Sequence, residues 1–169
     1  MTQITTQLYQ SPVGNLILGS VEDKLCLCNW QNKKNKAAVE KRLSKHLGGP
    51  LLEGSNATLN LAIKQLDEYF NKQRTEFDLP LIMAGTDFQK QTWKALQTIP
   101  YGQTLSYIEL AQKLGKPRAV RAVAKANAAN ALSIIIPCHR IIGNNGQLVG
   151  YAGGLETKKA LLKQEQTTN

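Results

Sequence analysis

The chemistry in this chain centres on Ile136-Pro137-Cys138-His139-Arg140-Ile141-Ile142, where a thiol, an imidazole and a guanidinium stand side by side. A free thiol has a pKa near ~8.5 and is mostly protonated at neutral pH, so it needs a base or cationic surroundings to become a nucleophile. His139 can supply the base, and the neighbouring charges make an electropositive setting that favours thiolate. Adjacent residues of a helix or strand point in different directions, so His139 does not reach the Cys138 sulfur directly and a bridging water is the simplest relay. The histidine in turn needs an acceptor to orient it. A Cys-His pair is also what a buried structural cysteine beside a surface histidine looks like, so the pair alone does not decide the function.

The elements around this stretch must position it. Ile134-Ile135-Ile136 reads as a short buried strand or extended segment that delivers the chain into Cys138, with Ile136 held extended by the proline after it. Downstream, Asn144-Asn145-Gly146 is a turn signal between Ile141-Ile142 and Leu148-Val149, and a last helix from about Leu155 carries Leu161, Leu162 and Glu165. Upstream, Thr86 or Asp87 can cap a helix with Phe88, Trp93 and Leu96 that stops at Ile99-Pro100-Tyr101-Gly102. Ser106 can cap a second, with Ile108, Leu110, Ala111 and Leu114. After Gly115-Lys116-Pro117 a third runs from about Arg118 to Ala129, with proline in its first turn. Helix, short glycine-containing turn, helix is the helix-turn-helix pattern.

The first half has a different character. Leu16-Ile17-Leu18 and Leu25-Cys26-Leu27-Cys28, separated by Glu22-Asp23-Lys24, predict a small antiparallel sheet within the first 30 residues. A lysine-rich helix is expected from Lys33 to Leu47, ending at Gly48-Gly49-Pro50. A second is marked by Leu59, Ile63, Leu66, Tyr69 and Phe70 at spacings of 3 to 4. With an apolar, proline-containing connector over residues 78–85, the expected fold class is α+β. A small antiparallel-sheet domain with helices, residues 1–80, precedes a mostly helical domain with a helix-turn-helix, residues 86–169.

Composition narrows the setting. No run approaches the roughly 18 to 20 apolar residues of a membrane span, and the start lacks the plan of a signal peptide, so a cytosolic protein is expected, nuclear in a eukaryote. Such a compartment keeps Cys26, Cys28 and Cys138 reduced. Residues 1–85 hold 10 Lys/Arg against 8 Asp/Glu, and residues 86–169 hold 11 against 4, so most of the formal +9 lies in the second half, the expected polyanion binder.

Phe88-Gln89-Lys90-Gln91-Thr92-Trp93, Ile99-Pro100-Tyr101-Gly102, Ser106-Tyr107, Arg121-Ala122-Val123, Asn130 and Pro137-Cys138-His139-Arg140 follow one another in an order and at spacings that resemble the O6-alkylguanine-DNA alkyltransferases. So do Gly150-Tyr151, Gly153-Gly154 and Leu161-Leu162 with Glu165. The likeness covers residues 86–166, and the first half is similar to that family's α+β domain.

The resemblance implies DNA repair by direct reversal: stoichiometric, irreversible transfer of a methyl or larger alkyl group from O6-alkylguanine in duplex DNA to Cys138, with O4-alkylthymine a second candidate substrate. It implies that His139 acts through water as the base, that Glu165 orients His139, and that Asn130 supports the turn around the site. Tyr107 would polarise the extruded guanine, and Arg121 would fill the gap it leaves. Arg118, Ala122 and Gln89 join Arg121 and Tyr107 as expected DNA contacts, and Tyr107, Ile141, Tyr151 and Ala152 as the pocket wall. Lys158 matches a basic position beside the site, with no assigned role. The product is a thioether that offers water no carbonyl to attack, so one protein molecule is expected to repair one lesion, and no cofactor, metal, membrane or obligatory protein partner is expected.

On the third helix Arg118, Arg121 and Lys125 lie at spacings of 3 and 4, flanked by Ala119, Ala122, Ala126 and Ala129, which gives a basic, thin face. An ordinary helix is ~10–12 Å across and the minor groove only ~6 Å wide, so alanines favour entry into a widened minor groove. The sequence departs from the family pattern at Ala124, usually glycine, at Ala131, usually proline, and at Ala152, serine in some members. Other readings fit less well: a transcriptional regulator that doubles as a repair protein would need a further metal-binding cysteine domain, which Cys26 and Cys28 alone cannot supply. A non-enzymatic reader of alkylated DNA would lack the cysteine. A cysteine peptidase would need turnover and an oxyanion hole. Cys26, Cys28 and His46 could form a weak metal site.

Overall fold

The computed structural model describes residues 2–32 and 34–166, which form two compact units, residues 2–85 and 86–166. In the first, β1 (Ile4–Ser11), β2 (Gly14–Val21) and β3 (Lys24–Trp30) form an antiparallel meander, and β4 (Leu51–Glu53) adds to β1 in parallel, giving the order β3-β2-β1-β4. The Glu22-Asp23 turn has φ of 48° and 65°, the left-handed geometry whose twist suits a tight hairpin. The fourth strand has no period in the sequence to announce it, because three residues are too few to show alternation.

Two helices complete this unit, α1 (Lys36–Leu47) and α2 (Ala57–Phe70). Lys33, where the first was expected to begin, lies outside the described residues. The α2 helix starts at Asn56, whose Oδ1 accepts from Leu59 N at 2.9 Å while its Nδ2 donates to Ser20 Oγ at 2.7 Å. One amide thus caps the helix and ties it to the sheet. At the other end Tyr9 Oη donates to Asp67 Oδ1 at 2.7 Å. Between them Leu59, Ala62 and Leu66 are buried with Leu16 and Leu18 in the core. Gly49 is required by close approach: a β-carbon there would stand 1.3 Å from the carbonyl oxygen of Thr2.

The second unit holds α3 (Asp87–Leu96), β5 (Leu105–Ser106), α4 (Tyr107–Lys113), α5 (Val120–Ala128), β6 (Ile141–Ile142) and α6 (Leu155–Gln166). Thr86 and Ser106 cap α3 and α4, and each forms a full capping box, with Gln89 and Glu109 respectively. Trp93 Nε1 donates to the Ala126 carbonyl at 2.8 Å and fastens α3 to α5.

Several expectations need correction here. The third helix begins at Val120 rather than Arg118, because Pro117 and Arg118 form a turn closed by Ala119 N donating to Lys116 O at 2.9 Å. Arg118 therefore precedes the helix. Ala126 is buried against Trp93 and does not belong to the thin exposed face; Ala122 does. Ile134-Ile135-Ile136 is not a strand. Hydrogen bonds from Ile135 N to Ser133 O and Ile136 N to Leu132 O, both 2.8 Å, fold it into a turn, with Ile134 at φ 71°. A β-branched residue there carries strain of order 1–3 kcal/mol, sustained by its burial. Finally, Ile141-Ile142 pairs in parallel with Leu105-Ser106. The chain does turn at residues 144–146, but residues 147–150 form no strand.

Candidate active site

The β5-β6 pair sets the geometry of the site, because Tyr107 directly follows β5 and Cys138-His139-Arg140 directly precedes β6. Those three residues form a single 3-10 turn, all buried. Its approach is shaped by Asn130, whose Nδ2 donates to Ile136 O at 2.8 Å and whose Oδ1 accepts from Leu132 N at 3.0 Å. Both arms of one amide hold the 130–136 turn around Ala131.

Glu165, near the end of α6, lies with both oxygens engaged in the protein interior. Oε2 stands 2.7 Å from His139 Nε2, and Arg140 grips both oxygens, Nε to Oε1 at 2.8 Å and a terminal nitrogen to Oε2 at 3.0 Å. The other terminal nitrogen of Arg140 donates to Ile99 O at 2.7 Å. Burial alone would raise the Glu165 carboxyl, but the hydrogen bonds and charges of His139 and Arg140 outweigh it and hold the pKa down at about 2. Burial also pushes the His139 pKa below its ordinary value, against the pull of Glu165.

These two shifts determine the tautomer. An ionised Glu165 only accepts, so His139 Nε2 carries the hydrogen, and a neutral ring leaves the lone pair on Nδ1. That Nδ1 is buried and has no hydrogen-bond partner among the described residues. The arrangement can receive a proton at Nδ1 and spread the resulting charge onto Glu165.

The Arg140 contribution was missed by sequence reasoning, which placed its charge in the surroundings of Cys138; the guanidinium is bound to Glu165 instead. A charged side chain inside an otherwise apolar run, Ile-Pro-Cys-His-Arg-Ile-Ile, is the available signal of a buried ion pair. Lys158 was also left without a role. Its ammonium is fully buried and donates to three backbone carbonyls, Ile141, Val149 at 3.1 Å and Gly150 at 3.3 Å.

Tyr107 heads α4, and its hydroxyl donates to Val149 O at 3.4 Å. Burial raises its pKa, and the charge of Cys138 raises it further, while a hydrogen bond from the Asn127 side chain lowers it. Burial lowers the Lys158 pKa, and the charge of Cys138 acts against that shift. Ile141 is buried, and Tyr151 and Ala152 are half-buried in the segment that follows Gly150. Arg118, Arg121 and Ala122 are exposed around the start of α5. Gln89 stands apart from them in one respect: its side-chain oxygen accepts from Thr86 N at 2.9 Å as part of the cap.

Cys26 and Cys28 are buried on β3, and burial pushes the Cys26 thiol up to about 12, so it is an unreactive core group. His46 lies on α1, its Nδ1 3.0 Å from Arg42 O. Among the described residues no group of three His, Cys, Asp or Glu side chains could hold a metal, which removes the metal site proposed for Cys26, Cys28 and His46. None of the described helices is long and apolar enough to cross a membrane.

The buried hub makes stability depend on pH. His139 has a depressed pKa, so the stability tied to its neutral form is present above the ordinary value of 6.5 and falls as pH drops below it. Glu165 acts in the same direction lower down: its contribution is present above its ordinary 4.5 and is lost as pH falls towards about 2. Tm should therefore decline progressively from pH 6.5 downwards. A Tm that stays flat from pH 8 to pH 4 in scanning calorimetry would contradict the buried-hub account.

Two family models match: the 6-O-methylguanine DNA methyltransferase DNA binding domain over residues 87–167, and its ribonuclease-like domain over residues 4–83. Among curated proteins, the methylated-DNA–protein-cysteine methyltransferase of Methanosarcina acetivorans is 40% identical over 94% of this chain and 96% of its own. That of Mycobacterium tuberculosis is 54% identical over 63% of this chain, and that match spans 64% of the relative's length. Among solved structures, Mycobacterium tuberculosis OGT in complex with DNA has a TM-score of 0.82 at 38% identity, covering 98% of this chain and 94% of that one. With both domain models in series along the sequence, and a relative matched nearly end to end, the chain belongs to the methylated-DNA–protein-cysteine methyltransferase family.

Proposed function

We propose that this protein repairs O6-alkylguanine in double-stranded DNA by moving the alkyl group irreversibly onto Cys138, one lesion per molecule. The observation that supports it most is the His139–Glu165–Arg140 hub beside Cys138, which leaves His139 Nδ1 as the free base. The Cys138 proton passes through water to Nδ1, and Glu165 stabilises the imidazolium. The thiolate attacks the alkyl carbon, the carbon–oxygen bond breaks, and its electrons enter the purine, which takes up a proton. Tyr107 turns its one O–H from the Val149 carbonyl to the minor-groove edge of the leaving base and stabilises the developing charge there. The product thioether has no carbonyl for water to attack, so the protein is consumed. After mixing with a duplex containing one O6-methylguanine, peptide mass mapping should find a single methyl group on the Cys138 peptide. An unmodified Cys138 alongside repaired DNA would rule this reading out.

The base lies within a stacked duplex and has to be turned out, at a cost of a few kcal/mol. The exposed start of α5, with Arg118, Arg121 and Ala122, is the element we assign to a widened minor groove, where phosphate contacts give affinity and little sequence is read. Arg121 occupies the vacated place in the stack. Arg121→Ala should slow repair of duplex DNA by about tenfold or more, the equivalent of ~1.4 kcal/mol of uncompensated unstacking. It should leave reaction with free O6-benzylguanine base nearly unchanged, since no duplex has to open. Equal losses on both substrates, with melting unaltered, would instead place Arg121 in the electrostatics of the thiolate.

A further inference from the structure

Lys158 donates to the carbonyls of Ile141, Val149 and Gly150, and the Val149 carbonyl also accepts from the Tyr107 hydroxyl. We propose that Lys158 is a positioning residue that places Tyr107 for the leaving base, by fixing the Val149–Gly150 backbone against which the tyrosine hydroxyl rests.

Three observations carry this. First, an ammonium with no exposure is costly to bury unless hydrogen-bonded, and here its donors converge on main-chain carbonyls rather than on a carboxylate. Lys158 is thus a structural cation whose partners are segments of chain, one at β6 near Cys138 and one eight to nine residues further on. Second, the second segment has no ladder of its own. Residues 147–150 form no strand, and Gly150 sits at φ 57°, so Lys158 supplies a tether that regular structure does not. Third, the same loop is tied to the start of α4 twice, by Tyr107 Oη on Val149 O and by Ile108 N donating to Asn144 Oδ1 at 3.2 Å. A β-carbon on Gly150 would come within 3.9 Å of the Tyr107 hydroxyl, which shows how closely this backbone lies against it. Backbone, tyrosine and lysine form one chain of contacts, and its far end is anchored at Ile141, three residues from Cys138.

The inference rests on the role of Tyr107 proposed above, and the test separates the two. Rates of reaction with free O6-benzylguanine are measured for the full-length wild type, Tyr107→Phe, Lys158→Met and the double variant, alongside Cys138 alkylation by iodoacetamide, which needs no leaving purine. Tyr107→Phe should lose about 100-fold, as for removal of one donor to a developing charge. Lys158→Met should lose tenfold or more, and should lose little further when Tyr107 is already Phe, because residues acting through one another are not additive. Iodoacetamide alkylation should fall by clearly less than the O6-benzylguanine rate in each variant, since it loses at most the attraction between the Lys158 charge and the thiolate. Lys158→Arg, which keeps a buried donor, should recover part of the rate and serves in the same cycle if Lys158→Met does not fold. A wild-type rate for Tyr107→Phe sinks the reading of Tyr107 itself. Additive losses, or an iodoacetamide rate that falls as far as the O6-benzylguanine rate, overturn the positioning role and make Lys158 part of thiolate activation.

Discussion

Replacing Cys138 with alanine should abolish repair of O6-methylguanine while leaving binding to the alkylated duplex within a few-fold of wild type. In the proposed reaction the sulfur is the atom that forms the new bond, and Cys26 is no substitute: it is a buried thiol pushed up to about 12, in the other compact unit. Binding should persist because the exposed basic start of α5 is untouched, and because sulfur and a methyl-sized side chain differ little in a site that is only 4% exposed. In the wild type, repair should proceed to one lesion per protein molecule and stop. The checking measurement is a titration of a labelled duplex against protein, read at completion. Repair that continues past one equivalent would mean that the thioether is being cleared and that the protein turns over. Loss of binding by a folded Cys138→Ala protein would mean that the sulfur does more than accept alkyl groups.

The second large effect belongs to Glu165. Glu165→Ala leaves Arg140 as a buried guanidinium with the Ile99 carbonyl and the Tyr101 ring but no carboxylate among the described residues, and breaking one side of a buried ion pair costs ~3–5 kcal/mol. In a domain set of this size that corresponds to a fall in Tm of about 10 °C. The rate should fall too, by about 100-fold or more, since His139 loses the group that keeps the hydrogen on Nε2 and the lone pair on Nδ1. Stability and rate can be separated by removing both charges. Arg140→Met with Glu165→Met should regain part of the lost Tm, because the uncompensated charge is gone, and none of the rate. If Glu165→Ala melts and reacts like the wild type, the hub neither stabilises the turn nor prepares His139. If the double variant recovers rate together with Tm, Glu165 acts only through stability.

How legible these features were depends on the distance along the chain between cause and effect. The capping boxes at Thr86 and Ser106 could be found from the sequence because each links residues three apart through their own backbone. The hairpin at Glu22-Asp23, the helix α2 with its apolar spacing and the Cys138-His139-Arg140 group are local in the same sense. The start of α5 was misplaced by two residues, since proline is compatible with both a first helical turn and the turn that precedes one. The isoleucine run was misread because three apolar residues report burial, not direction. Burial is correct there, and the backbone at Ile134 is left-handed.

By itself, the sequence determined the two-part α+β organisation, the helix-turn-helix, the concentration of positive charge in the second half and the placing of Cys138 beside His139 and Arg140. All of these follow from composition, short-range periodicity and neighbouring residues. Only the tertiary structure decided that Arg140 serves Glu165 rather than Cys138, that Ile141-Ile142 pairs with Leu105-Ser106, that Ala126 faces Trp93 and that Lys158 holds Val149 near Tyr107. Buried charges and two-residue strands carry no period, and their partners lie 9 to 36 residues away along the chain. Their positions are set by the requirement that every buried polar group find a partner, a condition that only the folded chain as a whole can satisfy.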